Sequence, residues 1–173
     1  MGIFLTLLLT VANVSAQQTP LATPLNSGEP IQITSDTLEA NNRDRTFLFT
    51  GHVKVVQGTT EMTSDRLKVW YESDKSASAE TTGGASRIRD IEADGNVVIV
   101  FDGRTARSDK ARYSAATETL TLLGDNATIV DGKNTIRGAK ITLYRTEDRI
   151  TVEGSSKGRV EAVIFPGGKA PNN

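Results

Sequence analysis

Phe47-Leu48-Phe49-Thr50-Gly51-His52-Val53-Lys54-Val55 is the stretch on which the fold turns. Phe47, Phe49, Val53 and Val55 stand at alternate positions on either side of a glycine, and Thr50 and Lys54 fall between them. Successive side chains of an extended chain point to opposite faces, so a period of two separates a dry face from a wet one. A strand with one buried face is the reading. Working outward, the same alternation returns before three more glycines, with Ile91 and Ala93, Leu120 and Leu122, and Ile150 and Val152. It also follows four openings made of a small residue and Asp or Ala: Ser35-Asp36, Ser64-Asp65, Ser108-Asp109 and Gly138-Ala139. After these come Leu38 and Ala40, Leu67 and Val69, Ala111 and Tyr113, and Ile141 and Leu143.

The openings are spaced 29, 44 and 30 residues apart, and the glycines Gly51, Gly95, Gly124 and Gly154 are spaced 44, 29 and 30. This is an internal repeat of 29 to 30 residues in about four copies, with 15 extra residues in the second. The extra length is assigned to Ser73 through Ser86, which lacks large apolar side chains. Past the glycine, Val97 and Ile99 match Val53 and Val55. Ala127 with Ile129, and Val160 with Ala162, fit only with added residues, which predicts bulges or longer turns in the later copies. The residues between are polar, among them Arg66, Lys68, Asp90, Glu92, Thr119, Thr121, Thr142 and Thr151. No stretch carries a sustained helical period. The sequence therefore predicts an all-β stack of short strands turning about an apolar interior, each repeat covering its neighbour.

Of the 173 residues, 20 are Lys or Arg and 21 are Asp or Glu, and the signs are mixed along the chain. That excludes the one-sided basic surface of a nucleic-acid binder. With no cysteine, disulfides, thiolate nucleophiles and Cys-ligated metals are excluded as well. Residues 1–16 place an apolar run from Ile3 to Val11 ahead of Val14-Ser15-Ala16, the pattern of a signal peptide cleaved near Ala16. The run is about half the length a bilayer-spanning helix needs. No Lys or Arg precedes Ile3, which departs from the pattern, and a membrane anchor is the alternative. A flexible lead-in is expected over 17–29, a folded domain over 30–165, and a loose tail over 166–173, where Pro166-Gly167-Gly168 ends the alternation.

Four segments in order, PIQITSD from Pro30, FTGHVKVVQGT from Phe49, MTSDRLKV from Met62 and IRGAKITLY from Ile136, resemble the LptA (OstA-like) family of periplasmic lipopolysaccharide transport proteins. The resemblance runs from about Glu29 to Phe165. It implies a twisted, open β-jellyroll of antiparallel strands around an apolar groove, located in the periplasm. The implied ligand is lipopolysaccharide, held by its lipid A acyl chains. The implied partners are the inner-membrane bitopic and outer-membrane barrel components of a transport bridge, together with further copies of the chain. The positions matching the groove are Ile31, Phe47, Phe49, Val53, Val55, Leu67, Val69, Val97, Ile99, Tyr113, Leu120, Leu122, Ile141 and Leu143. Burying a chain of about 14 carbons at about 0.8 kcal/mol per CH₂ gains roughly 10 kcal/mol, so a carrier that must release its cargo should shield it only in part.

A stack that does not close leaves unpaired backbone groups on its outer strands. Those edges are expected around Ile31 and Ile33 at one end and Val160, Ala162 and Ile164 at the other, predicting head-to-tail association. Chemistry is not expected, and neither is a metal or cofactor. His52 falls on the wet face beside Gly51 and reads as a solvated strand residue. Asp36, Asp65 and Asp109 recur beside serine and read as turn residues, which bond nearby backbone N–H groups. Arg43, Arg45, Arg104, Arg107 and Arg112 either meet phosphates at a rim or belong to a solvated surface. Trp70 is out of phase with Val69, through a surface contact or an accommodation of twist. The rival readings are an exported β-helix enzyme or binding protein acting on a polysaccharide, and a purely adhesive stack. An enzyme of that kind needs carboxylates converging in a cleft, and here they are scattered along the wet face.

Overall fold

The computed structural model describes residues 29–72 and 87–166. The expected leader, the lead-in apart from Glu29, the insertion from Ser73 to Ser86 and the tail beyond Pro166 lie outside the described residues.

Alternating side chains build ten strands: β1 (Gln32–Thr34), β2 (Thr37–Asn41), β3 (Thr46–Gln57), β4 (Thr60–Glu72), β5 (Arg87–Phe101), β6 (Arg104–Ser114), β7 (Thr119–Asp131), β8 (Asn134–Tyr144), β9 (Arg149–Glu153) and β10 (Glu161–Val163). They form one antiparallel sheet in which β3 through β8 pair in chain order. At one margin β1 and β2 both pair with β3; at the other, β9 and β10 both pair with β8. This is the all-β architecture the repeat predicts, in the open, jellyroll-like form the resemblance implies, but β3 to β8 are 11 to 15 residues long rather than short.

The reason is that Gly51, Gly95 and Gly124 bend strands without ending them, while Gly154 follows the end of β9. Register shifts fall in the middle of every long pairing, between Thr50 and Val53, Thr63 and Arg66, Asp94 and Val97, Arg107 and Lys110, and Leu123 and Ala127. A bulge adds twist and turns the strand, and here the bulges line up across the sheet. The result is two walls joined along a bend. β2, β9 and one half of each long strand form the first; β1, β10 and the other halves form the second.

At the bend, Gly51 and His52 have φ of +82° and +45°, and Gly95 and Asn96 have +79° and +50°. Two successive left-handed residues are costly for most side chains, which is why glycine comes first. The carboxylate of Asp36 lies over Gly51 and that of Asp65 over Gly95, so a Cβ at either glycine would collide with it. The carboxylates also bind the next side chain: Asp36 Oδ2 lies 2.8 Å from His52 Nδ1, and Asn96 Nδ2 donates to Asp65 Oδ2 at 2.8 Å. Their serine neighbours donate two residues onward, Ser35 Oγ to Thr37 O at 2.9 Å and Ser64 Oγ to Arg66 O at 3.0 Å. The expectation that these aspartates mark turns between strands holds for Asp36, in the bend between β1 and β2 where it also faces Gly51, and is corrected for Asp65 and Asp109, which lie inside β4 and β6.

The turns between strands lie elsewhere. Gly58-Thr59, Asp102-Gly103 and Gly132-Lys133 are two-residue hairpin loops, with φ of +56° at Gly58, +47° and +73° at Asp102 and Gly103, and +58° at Gly132. β2 and β3, β6 and β7, and β8 and β9 are joined by four-residue loops that finish on a left-handed residue, Arg45, Glu118 and Asp148 respectively. The longer later turns are present too. In β7, Gly124, Asp125 and Asn126 face the single residue Ala139, and Ser155 pairs back to Gly158 before β10.

Candidate functional site

The dry faces of the two walls look at each other. Val53, Val55, Met62, Val97, Ile99, Phe101, Ala106, Ala127 and Ile129 come from one wall, and Phe49, Leu67, Val69, Ile91, Ala93, Ala111, Tyr113, Leu120, Leu122, Ile141 and Leu143 from the other. Between them runs a cleft of about 370 Å³ measured out to its open mouth. Val55, Gln57, Thr60, Met62 and Ile99 line one side, and Ile91, Ala93, Ala111, Tyr113 and Leu120 the other. The enclosed part is narrow, with free space for about one water, so a larger guest requires the walls to part. No carboxylate or cation lines it.

Of the positions expected to form a groove, Val55, Ile99, Tyr113 and Leu120 line this cleft. Phe49, Val53, Leu67, Val69, Val97, Leu122, Ile141 and Leu143 are buried in the same core, and Ile31 and Phe47 pack half-buried against it. Sequence reasoning did not single out Gln57, Thr60 or Met62. A usable signal existed, since Gln57 is in phase with Val53 and Val55, and Met62 sits opposite Val55 in the register. Burial pushes the Tyr113 hydroxyl pKa up, with a smaller push from the Glu118 carboxylate, so it stays protonated across physiological pH.

The outer face is wet and ionic. Lys54 pairs with Glu61 at 2.9 Å, Lys110 with Asp94 at 2.8 Å and Lys140 with Glu153 at 2.7 Å, all across neighbouring strands. Such exposed pairs each contribute about 0–1 kcal/mol and mainly keep this face in water. His52 lies at the bend with its side chain 92% exposed, and its hydrogen bond to Asp36 raises its pKa. The structure does not bring the five arginines together. Arg43 and Arg45 lie in the β2–β3 loop, Arg104 pairs with Asp131 at 3.1 Å, and Arg107 and Arg112 are exposed on β6. Trp70 is half-buried beside a register irregularity, with Lys68 Nζ 4.9 Å from its ring centroid, and Phe47 stacks on Tyr71 at 4.8 Å. Among the described residues no three His, Asp or Glu side chains gather as metal ligands would.

The two margins differ. Ile31 and Ile33 are half-buried against the core, whereas Val160, Ala162, Val163, Ile164 and Phe165 are all exposed. At the C-terminal margin β10 pairs only with β8, and β9 ends at Glu153, so nothing in the described chain covers it.

Residues 32–149 match the family model described as LptA/(LptD N-terminal domain) LPS transport protein. An uncharacterized protein of Rhizobium meliloti is 28% identical over 148 residues, covering 86% of this chain and 77% of its own length. The lipopolysaccharide export system protein LptA of Haemophilus influenzae is 25% identical over 159 residues, covering 88% and 87%. The crystal structure of LptH from Pseudomonas aeruginosa, the LptA-homologous periplasmic component of its lipopolysaccharide transport device, superposes with a TM-score of 0.65. It shares 17% identity, covers 80% of this chain and 96% of its own, and supports the likeness of fold.

Proposed function

The chain belongs to the LptA/LptD N-terminal domain family of lipopolysaccharide transport proteins, and from that premise we propose that it is a periplasmic carrier that takes the acyl chains of lipopolysaccharide between its two walls and hands them on. The observation that carries the reading is the cleft, lined from both walls almost entirely by apolar side chains. Acyl chains gain free energy in proportion to the area they remove from water. The narrowness of the closed cleft suits transit, because parting the walls offsets some of that gain and keeps the complex releasable. A polysaccharide-acting enzyme would put paired carboxylates in its cleft, and this one has none. On this reading the chain acts as a carrier.

In the same reading, the two margins join the chain to its neighbours. Short edge strands with free backbone groups accept an added strand, and the exposed apolar residues at the C-terminal margin would be covered by it. The contact is head to tail and does not close, so copies or sister components extend into a bridge. The inner-membrane bitopic component and the outer-membrane barrel component are its proposed ends.

The test is a photo-crosslinking residue at Met62, inside the cleft, compared with one at Val100, on the outer face and 43% exposed. In cells, Met62 is expected to capture lipopolysaccharide and Val100 is not. Capture at Val100 alone would remove the cleft from the mechanism.

A further inference from the structure

We propose that Gln57 is a polar reading point inside the apolar cleft, its Oε1 accepting a hydrogen bond from an N–H or O–H that the amphiphile carries beside its acyl chain. The inference rests on the carrier reading above and adds to it a chemical requirement on the cargo. Gln57 is the last residue of β3 and pairs with Thr60 across the Gly58-Thr59 loop. Being in phase with Val53 and Val55 it faces inward, lines the cleft, and is 6% exposed.

Its amide has a fixed orientation. Nε2 donates to the backbone carbonyl of Glu29 at 2.9 Å, and a carbonyl can only accept, so nitrogen and oxygen cannot exchange places. Oε1 is then buried with no hydrogen-bond partner. Buried acceptors in folded proteins are nearly always satisfied, and of the other cleft-lining side chains only Thr60 and Tyr113 carry a donor, neither of which bonds this oxygen. A ligand donor brought into the same apolar space carries the matching deficit, and the two groups resolve each other. An acyl chain joined through an amide has an N–H at its root, and a chain hydroxylated near its root has an O–H. A plain ester-linked chain has neither, so the site distinguishes the first two from the third.

The experiment uses the purified mature chain and three synthetic glycolipids with one sugar headgroup and one chain length. One is N-acylated, one is an ester hydroxylated at the third chain carbon, and one is a plain ester. Calorimetric titration is expected to show the wild-type chain binding at least one donor-bearing glycolipid about tenfold more tightly than the plain ester, and the two arms say which donor is read. Gln57→Met should bind all three within about twofold of one another, whereas Gln32→Met, which removes an exposed amide of the same kind on β1 outside the cleft, should keep the preference. The wild-type comparison stands by itself if Gln57→Met does not fold. Equal wild-type affinity for all three overturns the role of Gln57 and leaves the carrier reading intact. A preference that survives Gln57→Met, or is lost in Gln32→Met, also overturns it, and failure of the wild-type chain to bind any of the three removes both.

Discussion

The middle of the sheet and its C-terminal margin are written in the same alternation and meet opposite surroundings. Leu122, in β7, lies between β6 and β8 with a facing wall, and is completely buried. Ile164 follows β10, which has one neighbouring strand, and it is 71% exposed. The comparison teaches that period-two patterning states which side chains are to be dry, while the number of neighbouring strands decides whether the chain alone can keep them so. At the margin the described chain leaves that requirement unmet.

The largest effect should come from charging the middle. Leu122→Asp places an unpaired carboxylate in a fully apolar layer, a cost of several kcal/mol against a typical domain stability of about 5–15 kcal/mol. No cooperative denaturation transition should survive, whereas Ile164→Asp should move the midpoint by the equivalent of no more than about 0.5 kcal/mol. Similar losses from the two would break the comparison.

Next in size is the bend that lets the two walls face each other. Gly95→Ala should cost about 1–3 kcal/mol in urea denaturation, because φ is +79° there and the new Cβ meets the Asp65 carboxylate. If this variant is as stable as the wild type, the bend is softer than its geometry indicates. Truncation after Arg159 removes β10 and should lower stability only slightly while abolishing concentration-dependent association in sedimentation. Undiminished association would move the partner surface away from this margin.

The smallest effect is at His52. Its pKa is raised by the hydrogen bond to Asp36, then by the charges of Asp36 and Asp65. A raised pKa means the protonated form is favoured by folding. Its contribution is fully present below the unfolded value of about 6.5 and is lost as pH rises through the folded value. His52→Asn suits the left-handed backbone and can copy the Asn96–Asp65 contact without titrating. Melting curves should show the wild type losing a little stability between pH 5.5 and 8.5 relative to this variant, and an opposite trend would contradict the Asp36 pairing.

Much of this was legible in the sequence because burial follows parity. Phe49, Leu67, Ile99 and Leu122 are dry for the reason their spacing states, and the extra residues after Gly124 are where the broken match with the earlier repeats puts them. The role of the aspartates was not legible. Asp and Gly serve equally in turns and at bulges, and what separates the two is a cross-strand contact, Asp65 over Gly95, between residues 30 positions apart. Gln57 was hidden for a related reason. A polar residue closing a run of alternating apolar ones reads as the end of the pattern, and its phase with Val53 and Val55 was the one sign that it still faces inward.

The central claim, that the space between the walls receives the amphiphile, is tested most directly by a spin label. With no native cysteine, one can be introduced alone at Ala111, which is 3% exposed and lines the cleft, or at Val100 on the outer face. Adding lipopolysaccharide should change the mobility of the label at Ala111 and leave that at Val100 as it was. Measurable lipopolysaccharide binding with no change at Ala111 would contradict the account.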